Sequence, residues 1–169
     1  MKQPAGHHLA EFNFGVLTHE FEHPKIADFT NNIDRVNAVA ARSVGFVWRM
    51  TDEDMEAAQH DPLGVLGGNP RVASTLSVWR DAQSLLTFVF NTVHKQFYDR
   101  ASEWFTPGIS GKMVLWWVPE GTRPGIEEAV ARYEHWTAEG DTDFAFGWTH
   151  LQEARPFLAS KQRIARGKP

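Results

Sequence analysis

Cysteine is absent from the 169 residues. Disulfides, thiolate nucleophiles and thiolate metal sites are therefore excluded. Tyrosine is scarce, with 2 residues beside 7 Trp and 12 Phe. No apolar run is long enough to span a bilayer, and the opening MKQPAGHHLA lacks the apolar core of a secretory signal. A basic excess is missing too: 17 Lys and Arg stand against 21 Asp and Glu, a formal net charge of -4. Nothing in that balance resembles the electrostatic footprint of a nucleic-acid binder. Glycine-rich phosphate loops, nucleotide fingerprints and nucleophile elbows do not occur. These absences leave an expectation of one cytoplasmic domain over residues 1–169, with neither a nucleic acid nor a membrane as partner.

What is abundant is aromatic surface. Seven Trp and twelve Phe in one small domain imply a thick core or a lined cavity. Along the chain, Leu9 to Leu17 reads as a strand, with Phe12, Phe14 and Val16 alternating against Glu11, Asn13 and Gly15. Lys25 to Arg42 carries Ile26, Phe29, Ile33, Val36 and Ala40 on one helical stripe. Ser43 to Met50 is a second strand, and residues 51–72 read as a long acidic, then Pro- and Gly-punctuated loop, a candidate lid. Ala73 to Trp79 is a third strand. Asp81 caps a helix to about Phe90, and a second helical stretch runs to about Phe105. Lys112 to Val118 is a fourth strand, Gly125 to Glu139 a helix closed by Gly140, and Asp143 to His150 a short last strand. The core is expected over residues 9–150, with a flexible basic tail over 158–169.

This order predicts an α+β fold on the split ferredoxin-like plan, with helices covering one face of a mostly antiparallel sheet. The other face is then bare and aromatic, which predicts burial against a second copy, a homodimer.

Two runs, Asp34-Arg35-Val36-Asn37-Ala38-Val39-Ala40 and Ser43-Val44-Gly45-Phe46-Val47-Trp48-Arg49, resemble an uncharacterised bacterial family within the dimeric α+β barrel superfamily. Ser77-Val78-Trp79, Val114-Leu115-Trp116-Trp117-Val118-Pro119 and Glu127-Glu128-Ala129 fit the same family. The resemblance spans about residues 9–150 and implies a ferredoxin-like dimeric α+β barrel. It carries no chemistry of its own. The wider superfamily includes cofactor-free monooxygenases of antibiotic biosynthesis, polyketide cyclases, lactone isomerases, aldoxime dehydratases and haem-degrading enzymes, among which fold alone does not choose.

The candidate catalytic residues are His94, Tyr98, Asn13 and Asn37. His94 lies on the helix after the third strand, where the resemblance to monooxygenases places a cavity histidine; imidazole can carry a proton near neutrality, but a surface or capping histidine fits equally. Tyr98 shares its helix face, four residues on. Asn13 is disfavoured in a strand centre and matches a polar cavity position of those relatives, while Asn37 falls within the apolar stripe of the first helix and is as well explained by backbone bonding. Arg49 is a candidate anchor for a substrate carboxylate or one half of a dimer salt bridge. Phe46, Trp48, Trp79, Phe88, Phe90, Trp116 and Trp117 are candidate cavity walls.

His19-Glu20-Phe21-Glu22-His23 fits the HExxH pattern, yet Pro24 follows directly and biases His23 away from helix, so a zinc hydrolase is not expected. For haem, an ungapped comparison along SVWRDAQSLLTFVFNTVHKQFY places the relatives' axial histidine on Tyr98 and their pocket tryptophan on Phe88, with His94 a turn early. The expected function is thus a cofactor-independent enzyme, monooxygenase-like or cyclase/isomerase-like, acting on a small aromatic or polyketide-like molecule between sheet and helices. The alternatives are a haem-binding protein using His94 or Tyr98, and a non-catalytic small-molecule binder.

Overall fold

Strand β1, His7–Val16, lies inside the sheet, paired antiparallel on one side to β3, Val72–Trp79, and on the other to β4, Lys112–Pro119. Strand β2, Phe46–Arg49, pairs antiparallel with β3, so the order is β2-β3-β1-β4. The computed structural model describes residues 1–108 and 112–159. Residues 160–169, most of the expected basic tail, lie outside the described residues, while Leu158 packs against the core.

Helices named among the described residues are α1, Ala27–Thr30; α2, Ile33–Arg42; α3, Asp52–His60; α4, Ala82–Asn91; α5, His94–Arg100; and α6, Ile126–Glu139. The period-2 alternation of β1 sorts the core into two layers. Leu9, with Trp79 and Leu115 from its neighbours, packs beneath Leu85, Leu86 and Phe88 of α4 and Ala40 of α2. Ala10 and Phe12, with Leu76, Val78, Val114 and Trp116, pack beneath Met55 of α3 and Ile126 and Ala129 of α6. Phe12 and Trp116 have no exposed surface.

The expected one-sided cover is therefore corrected. The sheet is open, not closed into a barrel, and helices lie on both faces. The second face, expected to be bare, is covered by α3 and α6 of the same chain, so the argument it offered for a homodimer is lost. Helix α3 forms within the stretch read as a loop. Thr51 caps it, accepting from the Asp54 amide at 3.1 Å, and Asp52, Glu53 and Asp54 sit in its first turn, where the helix dipole favours negative charge. Its buried Gln59 donates to Ser74 Oγ at 2.7 Å, fixing the helix to β3.

Three further departures have local causes. The helix expected from Lys25 to Arg42 is broken at Asn31–Asn32, where the Asn32 amide donates to the Asp28 carbonyl at 2.9 Å and competes with helical bonding. In β2 a register shift between Phe46 and Trp48 puts Phe46 opposite Trp79 and Arg49 opposite Ser77, while Trp48 goes to the opposite face. The expected last strand is reduced to a single bridge, Leu115 to Phe146, followed by a 3-10 turn at Trp148–His150.

Gly45 makes the entry to β2 possible. It has φ 80°, its carbonyl accepts from the Arg80 amide at 2.7 Å, and a Cβ there would stand 2.0 Å from Ser84 Oγ. Gly45→Ala is expected to cost about 2–4 kcal/mol, from left-handed strain plus overpacking against α4. Urea unfolding measures it; a loss below about 1 kcal/mol would show that α4 yields without strain.

Candidate functional site

Beside the sheet lies a cavity of about 900 Å³, lined by residues of β1 and β3 and of helices α2, α3, α4 and α5. That is ample for a small organic ligand. Its floor is the middle of β1 and β3, where Glu11 stands opposite Ser77, and Asn13 opposite Thr75.

Glu11 is 3% exposed and lies under the helices. Ser77 Oγ donates to its Oε2 at 2.8 Å, and the Asn13 amide nitrogen donates to its Oε1. Trp79 Nε1 in turn donates to Ser77 Oγ at 3.0 Å, which commits the serine's own proton to Glu11. Desolvation dominates the carboxyl's titration and pushes it up from an ordinary 4.5 to about 7, against the smaller opposing pulls of Asn13 and Ser77. Because both neighbours act as donors, a proton on Glu11 has to find its acceptor on the cavity side.

The walls are rings. Trp79 is stacked on Phe88 with centroids 5.1 Å apart at 22°, and Phe46 meets Trp79 edge-on at 5.4 Å. The His94 ring lies 4.8 Å from Phe88 and 6.4 Å from Tyr98. His94 is held by the break between α4 and α5. Thr92 leaves the helix in an extended conformation, its hydroxyl donates to the Phe88 carbonyl at 2.7 Å, and it accepts from the His94 amide at 3.2 Å. Nδ1 of His94 is 3.3 Å from the Val89 carbonyl. Burial lowers the pKa of this imidazole below its ordinary 6.5, and the bond to Val89 opposes that only in part.

All four expected catalytic residues, His94, Tyr98, Asn13 and Asn37, line this cavity, as do the expected anchor Arg49 and the expected walls Phe46, Trp79 and Phe88. The other expected walls are placed elsewhere. Trp48 and Trp116 pack on the opposite face of the sheet. Phe90 is turned away among Tyr98, Trp148 and Phe157, and Trp117 packs by Phe146 and donates to Met1 Sδ at 3.0 Å. Arg49 engages Asp52 of the same chain with two nitrogens, at 2.6 and 3.0 Å, and this pair holds the Asp52 carboxyl below the ordinary carboxylate range. Asn37 donates to the same carboxylate at 3.4 Å, so Arg49, Asp52 and Asn37 tie β2, α3 and α2 together beside the cavity.

Sequence reasoning missed Glu11 and Ser77. Alternation puts Glu11 on the face of Asn13 but does not show that the position is buried. His19 and His23 stack face to face at 4.0 Å within a turn, not along a helix, and His23 Nδ1 accepts from the Lys25 amide at 3.2 Å. Among the described residues no group of three His, Asp or Glu side chains is placed to hold a metal ion, and no helix is long and apolar enough to cross a membrane.

Between pH 4.5 and about 7 the folded chain retains a Glu11 proton that the unfolded chain has released. The stability this contributes is complete below 4.5 and is lost as pH rises through about 7, a fall of about 3 kcal/mol. Glu11→Gln removes that dependence. From pH 4 to pH 8 the stability of the variant relative to wild type is expected to improve by about 3 kcal/mol in urea unfolding. A difference that does not change with pH would contradict the raised titration.

No curated protein matches the chain. A crystal structure described as NE2512, a protein of unknown function from Nitrosomonas europaea, is similar at TM-score 0.42 and 10% identity, over 72% of this chain and 97% of that one. The family described as Domain of unknown function (DUF3291) matches residues 8–162, and the chain belongs to that family.

Proposed function

We propose that this chain is an enzyme that moves protons on a small aromatic or polyketide-like molecule, in the manner of a cyclase or isomerase, using its own side chains. One observation carries the reading: a carboxyl buried in the floor of a large aromatic cavity, with a titration midpoint raised to about 7. A buried acid costs stability, and its presence beside a ligand-sized cavity is the arrangement expected of a general acid or base working near neutral pH. Asn13 and Ser77 orient the carboxyl, Phe46, Trp79 and Phe88 give the cavity an aromatic lining, and His94 and Tyr98 add polar groups to it.

The strand order is that of a ferredoxin-like sheet and supports the likeness to the dimeric α+β barrel superfamily as a source of reaction types. A homodimer would have to form through a surface other than the second sheet face, which α3 and α6 occupy.

The test is a screen of aromatic ketones and polyketide-like compounds for binding and for turnover, with wild type and Glu11→Gln side by side. Turnover is expected to fall by about 10²–10⁴-fold in the variant with binding little changed. Equal turnover in the two proteins would remove Glu11 from the chemistry. Tight binding with no turnover of any compound would instead identify a binding protein.

A further inference from the structure

The cavity is acidic at its exposed edge and on its floor. The exposed residues of its lining are Glu20, Glu22, Asp52, Glu56, His60 and Pro70, four of them carboxylates and none a lysine or arginine. Among the rest of the described lining Arg49 is the one lysine or arginine, and Asp52 already holds it, at 2.6 and 3.0 Å. Glu11 is left without a counter-ion. Its partners Asn13 and Ser77 are uncharged donors, and no ion pair to it occurs among the described residues. We infer that the cavity binds an aromatic amine, whose ammonium group pairs with the Glu11 carboxylate. This goes beyond the proposed function, whose aromatic ketones carry no charge for Glu11 to pair with, and it rests on the same cavity.

Buried carboxylates are rare unless paired. A carboxylate has about four lone-pair positions; Asn13 takes one on Oε1 and Ser77 takes one on Oε2. Each oxygen thus keeps a position for a further donor, and the ammonium N–H groups fill it from the cavity. The acidic edge favours entry of a cation over an anion. The rest of the lining is rich in rings, Phe46, Trp79, Phe88 and Phe97 among them, and takes up the aromatic part. Of the inner titratable groups, Tyr98 carries no positive charge in either form, and burial favours the neutral form of His94. Neither opposes a cation.

The pairing has a proton balance. Below its midpoint of about 7 the free Glu11 carboxyl carries a proton. An arriving ammonium displaces that proton to solvent. An amine arriving as its free base takes the proton itself: the O–H bond of Glu11 breaks, an N–H bond forms, and the same ion pair results. Glu11 is ionised in the complex by either route, and a ligand without a cation leaves its proton in place.

The probes are 2-phenylethylamine, a cation at about pH 8, and 2-phenylethanol, its neutral counterpart, each titrated into the full chain by calorimetry. At that pH the amine is expected to bind at least about tenfold more tightly than the alcohol. Glu11→Gln should remove the preference by weakening the amine alone, whereas Glu20→Gln combined with Glu22→Gln should leave most of it. At about pH 6.5, titrations in two buffers of different ionisation heat should show most of one proton released with the amine and none with the alcohol. If Glu11→Gln does not fold, this release is read on wild type and decides the assignment. An amine that fails to bind, or binds no more tightly than the alcohol, overturns the proposal. An amine preference that survives Glu11→Gln, or that brings no proton release, puts the ammonium away from Glu11 and overturns it as well. In each case the proposed function is tested separately, by ketone turnover in wild type and Glu11→Gln.

Discussion

A carboxyl group at the middle of an interior strand, in a sheet covered by helices on both faces, can reach water only through the cavity beside it. Glu11 is in that position, and much of the structure follows from how it is held. Its partners come from β3 and from its own strand, so the β1–β3 register that sets Glu11 against Ser77 also sets Leu9 against Trp79 and Asn13 against Thr75. A slip of one residue would send Glu11 into the layer of Phe12 and Trp116 and remove its carboxyl from the cavity floor. The apolar surface buried on both faces stabilises the register far more than the desolvated carboxyl opposes it.

The rest of the site is arranged around that floor by ordinary local devices. The extended conformation at Thr92 ends α4 and turns the chain so that His94 begins α5 against Phe88. The register shift in β2 carries Arg49 to the cavity side, where Asp52 takes up its charge. With Arg49 engaged by Asp52, the floor of the cavity offers a ligand aromatic rings, amides, hydroxyls and the Glu11 carboxyl.

Alternation and helical stripes made the four strands and the helices α2, α4 and α6 legible in the sequence, because burial on one side of each imposes a period that composition records. The site was legible where a residue type was out of place, as with Asn13 in a strand or His94 beside an apolar stripe. What escaped depended on contacts between distant segments. Alternation divides β1 into two sets of residues without saying that both are covered, so nothing in it marks Glu11 as buried. Trp48 was assigned to the cavity because a one-residue shift in β2 leaves no mark in composition. Helix α3 was hidden by the glycines and prolines that follow it, although Thr51 and three acids mark its start.

The central claim is that Glu11 titrates near neutrality within the cavity. Its side-chain carboxyl carbon, assigned by comparison with Glu11→Gln, can be followed by carbon-13 NMR from pH 3 to pH 9. The account predicts a midpoint at about 7, well above the ordinary 4.5 of a glutamate. A midpoint at the ordinary value would mean that water reaches the carboxyl freely, and would contradict the account.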